Sequence, residues 1–298
     1  MTNRTKRQKH AILALTFLTA PGLVSAQEQP QRIVSIVPAL TETLFAMGAG
    51  DQVVGVGSFD THPPDITTRP RVGGLLDPDM EQIFALRPDL VLLYGSQQNQ
   101  AEQLARAGIQ VLPYTHGGID DTLSVISHLG MQIKRPNDAK RLIHSMQAEL
   151  KNVRARVAQR ERPSVLLVFG REPGALRNIY ASGGTGFLHD MLEAAGGRNV
   201  LAHIARESLQ ITSEAILASA PDVVIELTYD DRMTQETRAA EVAVWNRLPA
   251  VPAVRNQQVH LLLGNHFVQP GPRLAEATTA IARALHPEAF LPLLELAR

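Results

Sequence analysis

The stretch between Pro136 and Pro163 constrains this chain more than any other, because nothing in it breaks a helix. Asn137 is a good N-cap, and neither glycine nor proline follows until Pro163. Leu142, Met146, Leu150, Val153 and Val157 recur at spacings of three and four, which draws one narrow apolar stripe along a helix over 137–161. About 24 residues at 1.5 Å each reach about 36 Å, roughly the width of a lobe. A helix of that length between two βα regions is a strut, not a flexible linker.

On both sides of it, apolar runs of strand length alternate with helical patterns, the signature of βα units around largely parallel sheets. Before it, Ile33 to Val37, Val53 to Val56, Leu90 to Leu93 and Ile109 to Leu112 read as strands. Helical patterns at Thr41 to Met47 and Gln100 to Ala107 stop at Gly48 and Gly108. These make an N-terminal lobe over 32–130. After the strut, Val165 to Phe169, Val223 to Leu227 and Val259 to Leu263 read as strands, and Gly186 to Ala195 and Arg273 to Leu285 as helices. The pair Gly196-Gly197 suits a left-handed helix cap. These make a C-terminal lobe over 164–298, so the fold class is α/β with two lobes and one bridging helix.

A repeat ties the lobes together. Residues 81–91 and 214–224 share the frame Glu-x-Ile-apolar-Ala-x-x-Pro-Asp-apolar-Val. Glu81 and Glu214 therefore fall in the first turn of matched short helices, where the helix dipole favours a carboxylate. Pro88 and Pro221 lead into the following buried strands. A paired helix-start signal explains the repeat, and matched exposed charges on two halves leave room for a second role.

Composition enters for address and partners. Arg4, Lys6, Arg7 and Lys9 precede an apolar run over Ala11 to Leu18, and Val24-Ser25-Ala26 gives a small-x-small cleavage pattern. A signal peptide over 1–26 is expected, with a mature protein in the periplasm. The chain has no cysteine, which excludes disulfides, thiolate metal sites, cysteine nucleophiles and a lipid-anchor cysteine. No membrane anchor is expected. Lys+Arg and Asp+Glu balance at 29 each, so no bulk charge favours nucleic acid.

The usual catalytic signatures do not occur. Gly55-Val56-Gly57 lacks a third glycine, Ser182-Gly183-Gly184-Thr185-Gly186 lacks the P-loop lysine, and neither a Gly-x-Ser-x-Gly elbow nor His-Glu-x-x-His is present. An enzyme is therefore not expected, and neither a resident cofactor nor a metal site is assigned. His62, His116 and His266 fall in loops after strands, where open α/β folds place ligands. Each is either a contact to ligand, zinc or a metal-centred group, or a polar surface residue. Phe59, Tyr94 and Phe267 also follow strands and are pocket candidates, with core packing the alternative for the two phenylalanines. Arg171, Arg177 and Arg273 are candidate partners for an anionic ligand, whereas Trp245 reads as a packing residue.

The ordered set Arg32-Ile-Val-Ser-Ile-Val-Pro-Ala-Leu-Thr-Glu-Thr, Val53-Val-Gly-Val, His62-Pro-Pro, Val72-Gly-Gly and the Glu81 frame, with Phe187-Leu-His-Asp-Met-Leu-Glu-Ala-Ala-Gly-Gly and Pro249-Ala-Val-Arg-Asn later, resembles a known class. It is that of the substrate-binding proteins for iron-siderophore, haem and cobalamin importers. The resemblance runs over residues 32–286 and is greatest to the cobalamin-binding members. It implies a class III periplasmic binding protein: two Rossmann-like lobes bridged by a single long rigid helix. It implies a monomer that captures a bulky metal chelate (a corrinoid, or alternatively a ferric siderophore or haem) and hands it to an ABC importer's permease dimer and ATPase. By motif, Glu81 and Glu214 take the place of the family's two permease-docking glutamates. Phe59, His62, Tyr94, His266 and Phe267 take the place of its pocket residues, with Arg171 beside them. Where cobalamin-binding members carry a tryptophan before the first docking glutamate, this chain has Leu75 and Leu76.

Overall fold

A computed structural model describes residues 29–229 and 232–291; the expected signal peptide lies outside the described residues. The first lobe runs β1 (Ile33–Ser35), α1 (Pro38–Ala46), β2 (Val53–Val56), α2 (Met80–Ala85), β3 (Leu90–Tyr94), α3 (Gln98–Arg106), β4 (Gln110–Tyr114) and α4 (Ile119–Gln132). Its sheet has the order β2-β1-β3-β4, and every pairing is parallel. The strut is α5 (Pro136–Val157). The second lobe runs β5 (Ser164–Gly170), β6 (Ile179–Ser182), α6 (Phe187–Ala194), β7 (Arg198–Asn199), β8 (Ser208–Ile211) and α7 (Ser213–Ser219). It continues through β9 (Val223–Thr228), α8 (Gln235–Ala243), α9 (Pro252–Arg255), β10 (Val259–Leu263) and α10 (Leu274–Leu285).

The second sheet has the order β10-β9-β5-β6-β8, with β7 on β5. It is mixed, not parallel throughout, because β6 runs antiparallel to both β5 and β8. The helix expected over 137–161 is shifted toward the N-terminus. Arg135 is its N-cap and Pro136 takes the first helical position, where a missing N–H costs nothing. At the other end the chain turns after Val157, where Arg160 N–H bonds the Val157 carbonyl before Pro163 starts the next extended run.

Alternation along β1 shows how the layers divide. Ile33 faces a core shared with α1, α4, α5, α6 and α10, while Val34 faces a smaller core with Ile83, Val91 and Leu104. The second lobe repeats the division: Val165 and Leu167 join the shared core, and Leu166 and Val168 join a cluster around the fully buried Trp245. On α5, Ala139, Met146, Leu150, Val153 and Val157 are buried and Leu142 is half-buried. One apolar core therefore runs through both lobes and the strut without a gap. Gly130 allows α4 and α5 to pack closely, since a Cβ there would lie 2.4 Å from that of Ala139.

The sequence repeat has a structural meaning. Glu81 and Glu214 are each the second residue of their helix, after the N-caps Asp79 and Thr212. Arg87 and Ala220, just before the matched prolines, both take positive φ, at 48° and 42°. The aspartates that follow clamp the start of each lobe's first strand. Asp89 Oδ2 accepts from the Gln31 and Arg32 amides at 2.8 and 2.9 Å. Asp222 Oδ2 accepts from the Ser164 amide at 3.0 Å and its hydroxyl at 2.6 Å.

One acid breaks the rule that buried polar groups are paired. Asp60, in the loop after β2, is 1% exposed, and neither carboxyl oxygen receives a well-formed hydrogen bond. Burial pushes its pKa up to about 7; the nearby Thr41 hydroxyl, the Gly57 backbone and the Arg71 charge oppose the rise, and Glu42 adds to it. The folded state thus holds this proton more tightly than the unfolded chain, and stability falls as pH climbs from about 4 to about 7. Asp60→Asn should remove that slope. The melting temperature of the variant relative to the parent should rise between pH 5 and pH 8, and a pH-independent difference would contradict the assignment.

Candidate ligand-binding cleft

Parallel strands bring their carboxyl ends to one edge of a sheet, and ligands of open α/β folds bind outside such edges. In the first lobe this edge presents the loop after β2, the end of β3 and the end of β4. Phe59 stands 71% exposed on the first of these, its ring close to Gly74, and Leu76 farther along the loop is 93% exposed. Gln97 is buried and braces the lip: its Oε1 accepts from the Tyr94 amide at 3.0 Å and its Nε2 donates to the Leu75 carbonyl at 3.0 Å. His62, half-buried, precedes a cis proline at Pro63.

Tyr94 anchors an aromatic cluster. Its ring meets Tyr114 edge-on at 6.0 Å and lies 6.0 Å from His116, and the Tyr114 and His116 rings are 5.1 Å apart. His116 then stacks at 6.4 Å on Phe187, the first residue of α6 in the second lobe. Burial pushes the Tyr94 hydroxyl up to about 12, so it stays protonated, and burial lowers the His116 imidazole, which favours its neutral form. Tyr229, 61% exposed after β9, is close enough for its hydroxyl to bear on that of Tyr94. Aromatic rings of both lobes thus meet at this edge, over a Tyr114 that is itself buried.

Polar contacts cross between the lobes as well. Arg273 grips Glu42 through Nε at 2.9 Å and Nη2 at 2.6 Å, and Nη2 also donates to Asn265 Oδ1 at 2.9 Å. Asn265 Nδ2 in turn donates to Thr61 Oγ1, and Asp190 accepts from the Ile119 amide at 2.9 Å. His266 is half-buried beside this clasp, and burial together with the Arg273 charge lowers its pKa.

Three expectations need correction. Phe267 is 3% exposed and belongs to the shared core, because Gly264, at φ 135°, turns the chain so that the ring points inward. Arg171 does not offer a free cation. Its side chain is 2% exposed, with Nε 2.9 Å from Glu226 and Nη2 2.8 Å from Glu241. Arg273 is likewise engaged by the buried Glu42, whereas Arg177, 72% exposed, makes a surface pair with Glu172.

Phe59, His62, Tyr94 and His266 remain on the cleft side. Phe187 and Tyr229, which the sequence reasoning did not single out, are partly or fully exposed, and Tyr114 backs the cluster from the core. The rule that selected Tyr94, an aromatic ending a strand, would also have found Tyr114 had β4 been read to its true end. Among the described residues no group of three or more His, Asp or Glu could hold a metal ion. Glu81 and Glu214 are both exposed, and the Thr212 hydroxyl holds the Glu214 carboxylate below the usual range.

Comparison with known proteins agrees with this architecture. An uncharacterized ABC transporter substrate-binding lipoprotein of Bacillus subtilis is 28% identical over 95% of this chain and 89% of its own length. A vitamin B12-binding protein of Yersinia pestis is 26% identical over 72% of this chain and 74% of its own. The crystal structure of a periplasmic heme binding protein from Pseudomonas aeruginosa superposes with a TM-score of 0.74 at 26% identity, covering 87% of this chain and 93% of that one. No helix among the described residues is long and apolar enough to cross a membrane. The model of the Periplasmic binding protein family matches residues 33–263, and with its class III two-lobed α/β fold this chain belongs to that family of transport binding proteins.

Proposed function

We propose that this protein captures a bulky metal chelate, namely cobalamin or another corrinoid, in the cleft between its lobes and delivers it to an ABC importer from the periplasm. The observation that carries the reading is the aromatic cluster at the end of β3, in which Tyr94 and His116, backed by the buried Tyr114, meet Phe187 of the second lobe. Aromatic surface shared by two lobes suits a large, partly apolar macrocycle, which a cleft can cover. Phe59, His62, Tyr229 and His266 complete the lining. The shared core through the strut implies that walls, not a wide hinge, set specificity.

A ferric siderophore or haem is the second reading, favoured by one observation. His116, held toward its neutral form, is an iron ligand in kind and lies in the aromatic cluster beside Tyr94. Absorbance titration of the purified protein with cyanocobalamin, haemin and ferric siderophores separates the two. Cyanocobalamin should bind below about the micromolar range, near −8 kcal/mol. Haemin binding with a shifted Soret band and no response to cyanocobalamin would replace the corrinoid reading.

Delivery calls for a dock. Glu81 and Glu214, exposed and matched on the two lobes, suit salt bridges to arginines of a permease dimer. Replacing both by alanine should abolish stimulation of the importer's ATPase with ligand affinity unchanged. One substitution alone should show less, since an exposed ion pair is worth about 1 kcal/mol or less. A loss of ligand affinity would instead put these glutamates in the cleft.

Export follows from the leader over 1–26. The protein recovered from a periplasmic extract should begin at Gln27 by intact mass. A chain retaining Met1 would refute the cleavage site.

A further inference from the structure

The polar side chains buried in the second lobe do more than brace it. A cavity of about 220 Å³ opens at the carboxyl ends of β5 and β9. Its apolar wall includes Phe169, Leu227, Tyr229, Met233 and Leu261, and its floor carries Arg171, Glu226 and Glu241. Tyr229 lines it and also bears on Tyr94 of the first lobe, so the cavity lies on the side of the main cleft. It is smaller than the roughly 300–1,000 Å³ of a drug-sized ligand's site, so it suits one arm of a larger molecule.

The charge on that floor is countable. Among the described residues that line it, one guanidinium faces two carboxylates, and a further cation, Arg238, lies outside that lining on the Leu261 carbonyl at 2.8 Å. Arg171 donates through Nη1 to the carbonyls of Glu172 and Ala175 at 3.2 and 3.3 Å, and through Nη2 to the Glu241 carbonyl at 3.0 Å. Its Nε lies 2.9 Å from Glu226 Oε1, but the N–H is not aimed well enough to make a hydrogen bond. Glu226 Oε2 accepts from Trp245 Nε1 at 2.8 Å, and Glu241 accepts from the Gly174 amide at 3.1 Å. Of the three charged side chains, Arg171 is 2% exposed, Glu226 10% and Glu241 18%. An incoming group therefore meets carboxylate oxygen before it meets the cation. Burial raises the Glu226 pKa, which softens the negative excess without creating a positive one.

We infer that this recess is a subsite for an uncharged, hydrogen-bond-donating arm of the ligand, a primary amide, and that it rejects a carboxylate. A carboxylate arm would be desolvated against an acid-rich floor, whereas an amide N–H₂ can donate to Glu241 or Glu226 and leave its carbonyl toward the cleft. The inference rests on the cleft being the ligand site, and it sharpens the ligand class. Corrinoids carry amide arms around the macrocycle, whereas haem carries propionates.

The test compares ligands that differ by one arm. Cyanocobalamin and its b-, d- and e-monocarboxylic acids are titrated against the parent protein and the Glu241→Gln variant, with thermal unfolding as a check on the fold. At least one acid should bind the parent about tenfold or more weaker than cyanocobalamin, and Glu241→Gln should recover most of that loss. Met233→Trp, which fills the recess from its apolar wall, should weaken cyanocobalamin and erase the discrimination. If the acids bind as tightly as cyanocobalamin, or the penalty survives Glu241→Gln, the subsite is wrong while the corrinoid reading stands. If cyanocobalamin does not bind at all, the corrinoid reading fails, and haemin against haemin dimethyl ester tests the recess alone. Tighter binding of the ester then supports it, and equal or tighter binding of haemin overturns it.

Discussion

The burial of one stripe of α5 is the constraint on which the molecule depends. Met146, Leu150, Val153 and Val157 lie in a core that also holds Leu44 of α1, Leu129 of α4, Leu192 of α6 and Ile281 of α10. Each such side chain contributes about 1.5–3 kcal/mol when removed from water, so neither lobe can swing away without exposing part of this stripe. A separate linker would leave two independent bodies. Here the connection is itself core, and the cleft inherits its geometry from packing.

Polar contacts at the floor of the cleft reinforce that geometry and fix its charge. Every arginine that looked available to a ligand is engaged: Arg273 by Glu42, Arg171 by Glu226 and Glu241, Arg177 by Glu172. The buried pairs are costly to desolvate and strongly destabilising to break singly, which ties them to position more than to net stability. On the proposed function, what they leave for a ligand is aromatic surface and a slight acid excess. That combination suits a large neutral chelate better than a polyanion.

Much of this was legible in the sequence, and the exceptions share a cause. The strut was readable because helix breakers are absent from a long window, and the βα alternation because buried strands are short apolar runs. The short strands β6 and β8 were not, since Ile179–Ser182 buries the small Ala181 and Ser182 and exposes Tyr180, and Ser208–Ile211 exposes Ser208 and Gln210. Tyr94 was legible as an aromatic ending a strand. Arg171 was misread because its neutralising partners lie on β9 and α8, with Glu241 separated by 70 residues. Phe267 was misread because one glycine dihedral decides which side of a turn faces the core. Position along the chain reports exposure to a cleft; it does not report what else will arrive there.

The paired aspartate clamps have a consequence for how the molecule assembles. Asp89 and Asp222 each join residues 58 positions apart, Gln31 and Ser164 respectively. Equal loops carry equal closure entropy, of order 4 kcal/mol beyond a constant term. The two halves of the chain therefore start on the same kinetic footing, each closing its own circuit without help from the other. The strut has its full set of partners only when both halves are in place, since its core includes residues of each. Assembly of the interior is then a convergence of two similar events, with α5 as the seam that locks them together.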